Sequence, residues 1–120
     1  MDATAADLPR IVGDALLSTG PGGSVWKLDP ADRSMDANVI MLPPGDEIQT
    51  HTGPALDIVI VVLSGSGTLE TASDPIALAP GGIVWLPARS QRRFVAGPNG
   101  LRYFSVHARK PGLGIRPPAS

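Results

Sequence analysis

Short apolar runs, broken about every ten residues by Gly, Pro, Asp or Ser, constrain this chain more than any other feature. A helix of ordinary length needs roughly ten residues or more of unbroken 3.6-residue periodicity, and no such stretch follows Gly23. Runs of this length rich in Val, Ile, Leu and Trp read as strands. They fall near Ser24–Leu28, Ala37–Leu42, Glu47–His51, Asp57–Leu63, Gly67–Thr71, Ile76–Leu78, Ile83–Leu86, Arg92–Ala96 and Leu101–Ala108. Many short strands with no helix between them make a sandwich or barrel. Ahead of them, Pro9–Leu17 predicts one or two helical turns with Ile11, Ala15 and Leu16 on one side, ended by Ser18-Thr-Gly-Pro-Gly-Gly23. The expected organisation is an arm over 1–22, a β domain over 23–109, and a tail over 110–120 that wraps the surface or is mobile.

The 120 residues suit one domain with a modest core. With no cysteine, disulfides, thiol catalysis and Cys-based metal sites are all excluded. The first residues, MDATAAD, lack the basic start of a secretory signal, and the longest apolar run, Ile58–Leu63, is too short to cross a bilayer. A cytoplasmic protein with no membrane partner is the expectation. The net charge of −1 hides a segregation, since all 11 acids lie at or before Asp74 and seven of the 10 basic residues lie after it. A basic second half suggests nucleic acid or an anionic membrane when taken alone. The alternative is that the two halves pair in space. No basic–aromatic interleaving of the kind that stacks single-stranded bases is present, so no nucleic-acid partner is expected.

Two central stretches carry most of the chemistry. The first runs Gly45-Asp-Glu-Ile-Gln-Thr-His51-Thr-Gly53-Pro-Ala-Leu-Asp57-Ile58, then an apolar strand to Leu63 and Ser64-Gly65-Ser66-Gly67, where a hairpin turn is expected. The second runs Gly81-Gly-Ile-Val-Trp85-Leu-Pro87-Ala-Arg89-Ser-Gln-Arg92-Arg-Phe94-Val-Ala96. Together they resemble the two signature motifs of the cupin superfamily, small double-stranded β-helix jelly rolls. The first motif, G-x5-H-x-H-x3-4-E-x6-G, is matched by Gly45, His51 and Gly65; its second histidine is Gly53, and its acid is Asp57, one residue early, or Ile58. The second motif, G-x5-P-x-G-x2-H-x3-N, is matched by Gly81 and Pro87, with Arg89, Arg92 and Ala96 at the remaining positions. The resemblance covers Val39 to His107 and implies an all-β cupin barrel with a short N-terminal helical turn.

In that family the three histidines and the acid hold a divalent metal: iron, manganese, zinc or nickel. This chain has two histidines, His51 and His107. A protonated guanidinium at Arg92 offers no lone pair to a metal and repels a dication. No cofactor is therefore the primary expectation. A metal held by His51, Asp57 and His107 is the alternative, with His107 joining only if it follows Tyr103 and Ser105 inward. Without a metal, His51 lines the barrel mouth beside Gln49, Asp57 or water. Asp57 either pairs with Arg92 or caps the Thr52–Leu56 loop.

Strand alternation puts Arg92 on the same face as Ser90 and Phe94, with Arg93 on the other. The family commonly has an aromatic at the position of Phe94, so Arg92 is expected inside the barrel. A buried guanidinium suits bidentate capture of a carboxylate or phosphate. Three functions remain open. The first is a protein binding a small, anionic molecule through Gln49, His51, Asp57, Arg92, Phe94 and Tyr103. The others are a metal-dependent dioxygenase, isomerase or lyase, and an interaction protein with a vestigial cavity. The resemblance also implies a homodimer, with Ser24–Leu28 as a candidate interface strand.

Overall fold

The computed structural model describes residues 8–109, so the 110–120 tail and the first seven residues of the arm lie outside the described part. The described residues form seven strands and no helix: β1 (Gly23–Lys27), β2 (Met35–Leu42), β3 (Glu47–Thr52), β4 (Ile58–Glu70), β5 (Ile76–Leu78), β6 (Ile83–Leu86) and β7 (Gln91–Ala108). Every pairing is antiparallel. The described residues contain no helix long and apolar enough to cross a membrane.

β4 and β7 are the spine. They pair from Val59↔Val106 to Glu70↔Arg93, with register shifts at Val62/Ser64 and Gly65/Gly67. The C-terminal part of β7 also holds β2, and the N-terminal part of β4 holds β6. These make one sheet in the order β1-β2-β7-β4-β6. Beyond the shifts, β3 and β5 flank the other halves of β7 and β4 as a second sheet. Leu42, Ile60, Val62, Leu101 and Tyr103 from the first sheet meet Leu69, Leu78, Phe94 and Ala96 from the second in one core.

This corrects the expected strand pattern. Asp57–Leu63 and Gly67–Thr71 are one strand, as are Arg92–Ala96 and Leu101–Ala108. Ser64–Gly67 is a bulged passage from one sheet to the other and not a hairpin turn, because its residues keep their partner across the break. Gly65, at φ +78°, makes the passage possible.

The arm has a single turn at Ala15–Leu17. The Asp14 carboxylate accepts from the Leu16 and Leu17 N–H groups at 2.9 and 3.0 Å, and the Ser18 N–H donates to the Asp14 carbonyl at 3.1 Å. Ile11 and Leu16 do not form a buried side, being 93% and 62% exposed. The arm is instead held by polar contacts to the first sheet. Trp26 Nε1 donates to the Val12 carbonyl at 2.9 Å, and Arg102 Nη1 donates to the Ala15 and Ser18 carbonyls.

The acidic and basic halves do meet, mostly through other groups. Arg93 alone of the late described arginines finds acids, bridging Glu47 on β3 at 2.8 Å and Glu70 on β4 at 2.9 Å. Those two hydrogen-bonded carboxylates hold its pKa above the ordinary arginine value. Arg102 and Arg109 also cross to the first half, but land on backbone carbonyls.

Candidate functional site

The site is built where β3, β7 and the loop before β7 converge. Pairing of His51 with Arg92 and of Ile48 with Phe94 sets these side chains in register on one face, with a bulge between Ile48 and His51 absorbing the extra residue. Arg92 is 3% exposed, the single charged residue among the buried ones described. Its guanidinium turns back on its own loop. Nε donates to the Ser90 carbonyl at 3.2 Å, and Nη2 donates to Ser90 Oγ at 2.9 Å and weakly to the Pro87 carbonyl at 3.4 Å.

No carboxylate reaches Arg92. The Asp57–Arg92 pair does not form, because Asp57 Oδ1 accepts the Ala88 N–H at 2.8 Å. Asp57 is thus a loop cap, though of the Pro87–Ser90 loop and not of its own. Every fully buried side-chain nitrogen and oxygen described has a partner. Nη1 of Arg92 has none among the described residues, so it must retain access to solvent.

The guanidinium lies where a side chain at Gly53 would project. A Cβ built on Gly53 would collide with Nη2 and Cζ of Arg92 and come within 2.9 Å of Nε. Gly53 is itself buried, and its N–H donates to the Ser90 carbonyl at 3.0 Å. The two departures from the family's histidine positions, at 53 and 92, are therefore one packing arrangement. A residue with no side chain makes room for the guanidinium, a coupling that neither position discloses alone.

Behind Arg92 stand two rings. Phe94 and Tyr103 stack at 5.0 Å with 8° between their planes. Burial pulls the Arg92 pKa down, partly offset by Tyr103. The same burial pushes the Tyr103 phenol far above its usual range, with Arg92 opposing. Tyr103 stays protonated at neutral pH and is a hydrogen-bond donor. Its ring, with Ile60, Val62 and Leu69, fills the interior beneath the arginine.

His51 is exposed at the mouth, with Nδ1 3.0 Å from the Gln49 carbonyl, while the Gln49 amide donates to Glu47 Oε1 at 2.8 Å. His107 follows the alternation of Tyr103 and Ser105, opposite Asp36, and its Nδ1 lies 2.8 Å from the Ala108 carbonyl. The donors fit a divalent cation poorly. Position 53 offers no side chain, position 92 is a cation, position 58 is an isoleucine, and Asp57 is engaged with Ala88. No group of three His, Asp or Glu residues suited to a metal is present among the described residues.

Arg89 stands at the position of the second motif's glycine and adopts that residue's left-handed conformation, at φ +62°. Its N–H donates to the Pro54 carbonyl at 2.8 Å, pinning the loop that carries Ser90. A non-glycine residue there costs about 1–2 kcal/mol, and glycine's extra unfolded-state freedom returns about 0.4–1 kcal/mol. Arg89→Gly is therefore expected to stabilise the fold by about 0.5–1 kcal/mol, raising Tm by a few degrees. An unchanged or lower Tm would place the strain elsewhere.

No protein-family model matches the chain, and no curated protein matches it in sequence. Solved structures do. The TT1209 protein from Thermus thermophilus superposes with a TM-score of 0.67 at 20% identity, over 83% of this chain and 98% of that one. A cupin protein from Bacteroides fragilis gives 0.64 at 16%, over 84% and 88%. The Cnp3 cupin domain of Schizosaccharomyces pombe gives 0.63 at 17%, over 71% of this chain, which spans only 59% of that one. Identities this low speak for the fold alone. The two-sheet β architecture and the motif scaffold at Gly45, Gly65, Gly81 and Pro87 agree with them: the chain has the cupin fold.

Proposed function

We propose that this cupin binds a small anionic molecule at Arg92 and does so without a metal ion. One observation carries the reading: a buried guanidinium with no carboxylate partner and with Nη1 unspent. A cation removed from water is costly unless it is paired, and three contacts to neutral oxygens compensate only part of that cost. An anion meeting Nη1 would supply the rest, with Tyr103 as a neighbouring neutral donor and His51 at the rim. The core beneath Arg92 is filled by side chains, which suits a small ligand, the size of a carboxylate or phosphate group.

Thermal shift and calorimetry with acetate, oxalate and phosphate against a chloride control test this. At a concentration a hundredfold above Kd, the stabilisation is about 2.7 kcal/mol, and it disappears in Arg92→Met. Equal responses from the two proteins, or none, remove the proposal. Metal analysis of protein purified without a chelator addresses the enzyme reading: stoichiometric iron, manganese, zinc or nickel lost in His51→Ala would establish that reading instead.

A further inference from the structure

In an antiparallel sheet one face normally packs on the core and the other meets water, so strands alternate apolar and polar. The first sheet does not obey this. Its inward set, with Ile60, Val62 and Tyr103, fills the core. Its outward set is apolar as well: the register places Val59 and Val61 of β4 beside Phe104 and Val106 of β7 on one side and Trp85 and Ile83 of β6 on the other. The arm lies over the β1–β2 end of this face and is seated closely. A Cβ on Gly13 would collide with Nε1 of Trp26 and come within 2.9 Å of Cδ1 and Cε2 of the same ring. Trp26 holds the Val12 carbonyl and Arg102 holds the Ala15 carbonyl, which fixes the arm on either side of that contact. Between arm and sheet is a cavity of about 380 Å³. Ala37 and Val39, both buried, form its floor, and the rings of Trp26 and Phe104, stacked at 6.4 Å, form a wall.

We propose that this cavity under the arm binds a small arylalkylamine, an aromatic body carrying one ammonium group. Size, polarity and charge each point there. The volume falls within the about 300–1,000 Å³ usual for small-molecule sites. Water against an apolar floor and wall finds few partners, so an apolar body displaces it favourably. The two ring faces suit an aromatic body and attract a cation. Of the residues lining the cavity, Asp14 alone carries a charge. Its Oδ1 accepts the Leu16 and Leu17 N–H groups, while Oδ2 accepts from none of the described residues and is left for an ammonium. A peptide segment fits less well. The only polar side chains it would meet are Asp14 and the Trp26 indole, whose N–H is spent on Val12, so its backbone groups would go unpaired. Tyr103, beneath Arg92, and Phe104, at this cavity, point to opposite faces of β7, so the two sites are separate.

Titration of the full chain with phenethylamine tests the assignment, followed by calorimetry and by Trp26 emission in a Trp85→Phe background. The expected result is binding of one amine per chain with a change in Trp26 emission. Phenethyl alcohol, the same body without the charge, should bind about fivefold more weakly at low salt. Asp14→Asn keeps an oxygen to cap the turn but drops the charge, and should erase that difference. Ala37→Leu fills the cavity from its floor and should abolish binding of both compounds. Should that variant fail to fold by circular dichroism, Asp14→Asn, on the exposed arm, carries the test alone. No binding of the amine, equal affinity for amine and alcohol in the wild type, or undiminished binding by folded Ala37→Leu overturns the proposal. Binding that appears only after Leu113 and Ile115 are changed to serine overturns it in favour of the chain's own tail as occupant. Binding that appears only on dilution overturns it in favour of a second copy.

Discussion

Gly65→Ala is expected to cost about 2–5 kcal/mol. Two penalties add. The backbone at φ +78° is one that an L side chain tolerates at about 1–2 kcal/mol. The new Cβ would also run into the Gly100 carbonyl, with its oxygen in collision and its carbon 2.8 Å away, and with the Leu101 Cα at 3.1 Å. Those atoms are backbone of β7 and cannot swing aside, so overpacking adds roughly 1–3 kcal/mol. Domains of this size have about 5–15 kcal/mol in total. The passage that carries β4 from one sheet to the other would be forced apart, and both sheets share it. Urea denaturation should show a lower midpoint or no folded baseline. A change below about 1 kcal/mol would mean that β7 yields freely at Gly100, and that the bulge does not fix the sheet crossing.

Gly53→Ala is expected to cost about 2–3 kcal/mol, for a different reason. No backbone strain arises there; the methyl group and the Arg92 guanidinium claim the same space. Arg92 would have to leave Ser90 and carry its charge elsewhere in a buried site. A double-mutant cycle separates this from simple crowding. In an Arg92→Ala background the cost of Gly53→Ala should fall below about 1 kcal/mol, leaving a coupling of roughly 2 kcal/mol between the positions. Additive costs would show that the two residues do not share the site. The same cycle bears on ligand binding, since Gly53→Ala should also abolish the anion response assigned to Arg92.

Much of this was legible beforehand. The motif scaffold is local: Gly65 permits the bulge, and the spacing from Gly45 to His51 and from Gly81 to Pro87 is set within one turn and one strand. The inward direction of Arg92 follows from alternation with Phe94. What Asp57 does was not legible, because its partner, the Ala88 N–H, is 31 residues away and reaches it only when the loops on either side of β4 and β6 close together. Nor was the continuity of β4 and β7, since Gly and Ser read as a turn until a partner strand is seen to pair across them. Within the predicted strand Ile83–Leu86, only the structure shows that Trp85 lies outside the core.

By itself, the sequence determined the class of fold and the place of the two motifs, with Gly53 and Arg92 where the family they resemble has histidines, because alternation and spacing are short-range properties. Tertiary structure decided the rest. It showed that Gly53 and Arg92 form one packed unit, that Arg92 is spent on Ser90 and Pro87 and not on Asp57, and that one sheet is apolar on both faces. Each of these depends on which side chain shares space with which, and that is fixed only when distant strands are brought into register.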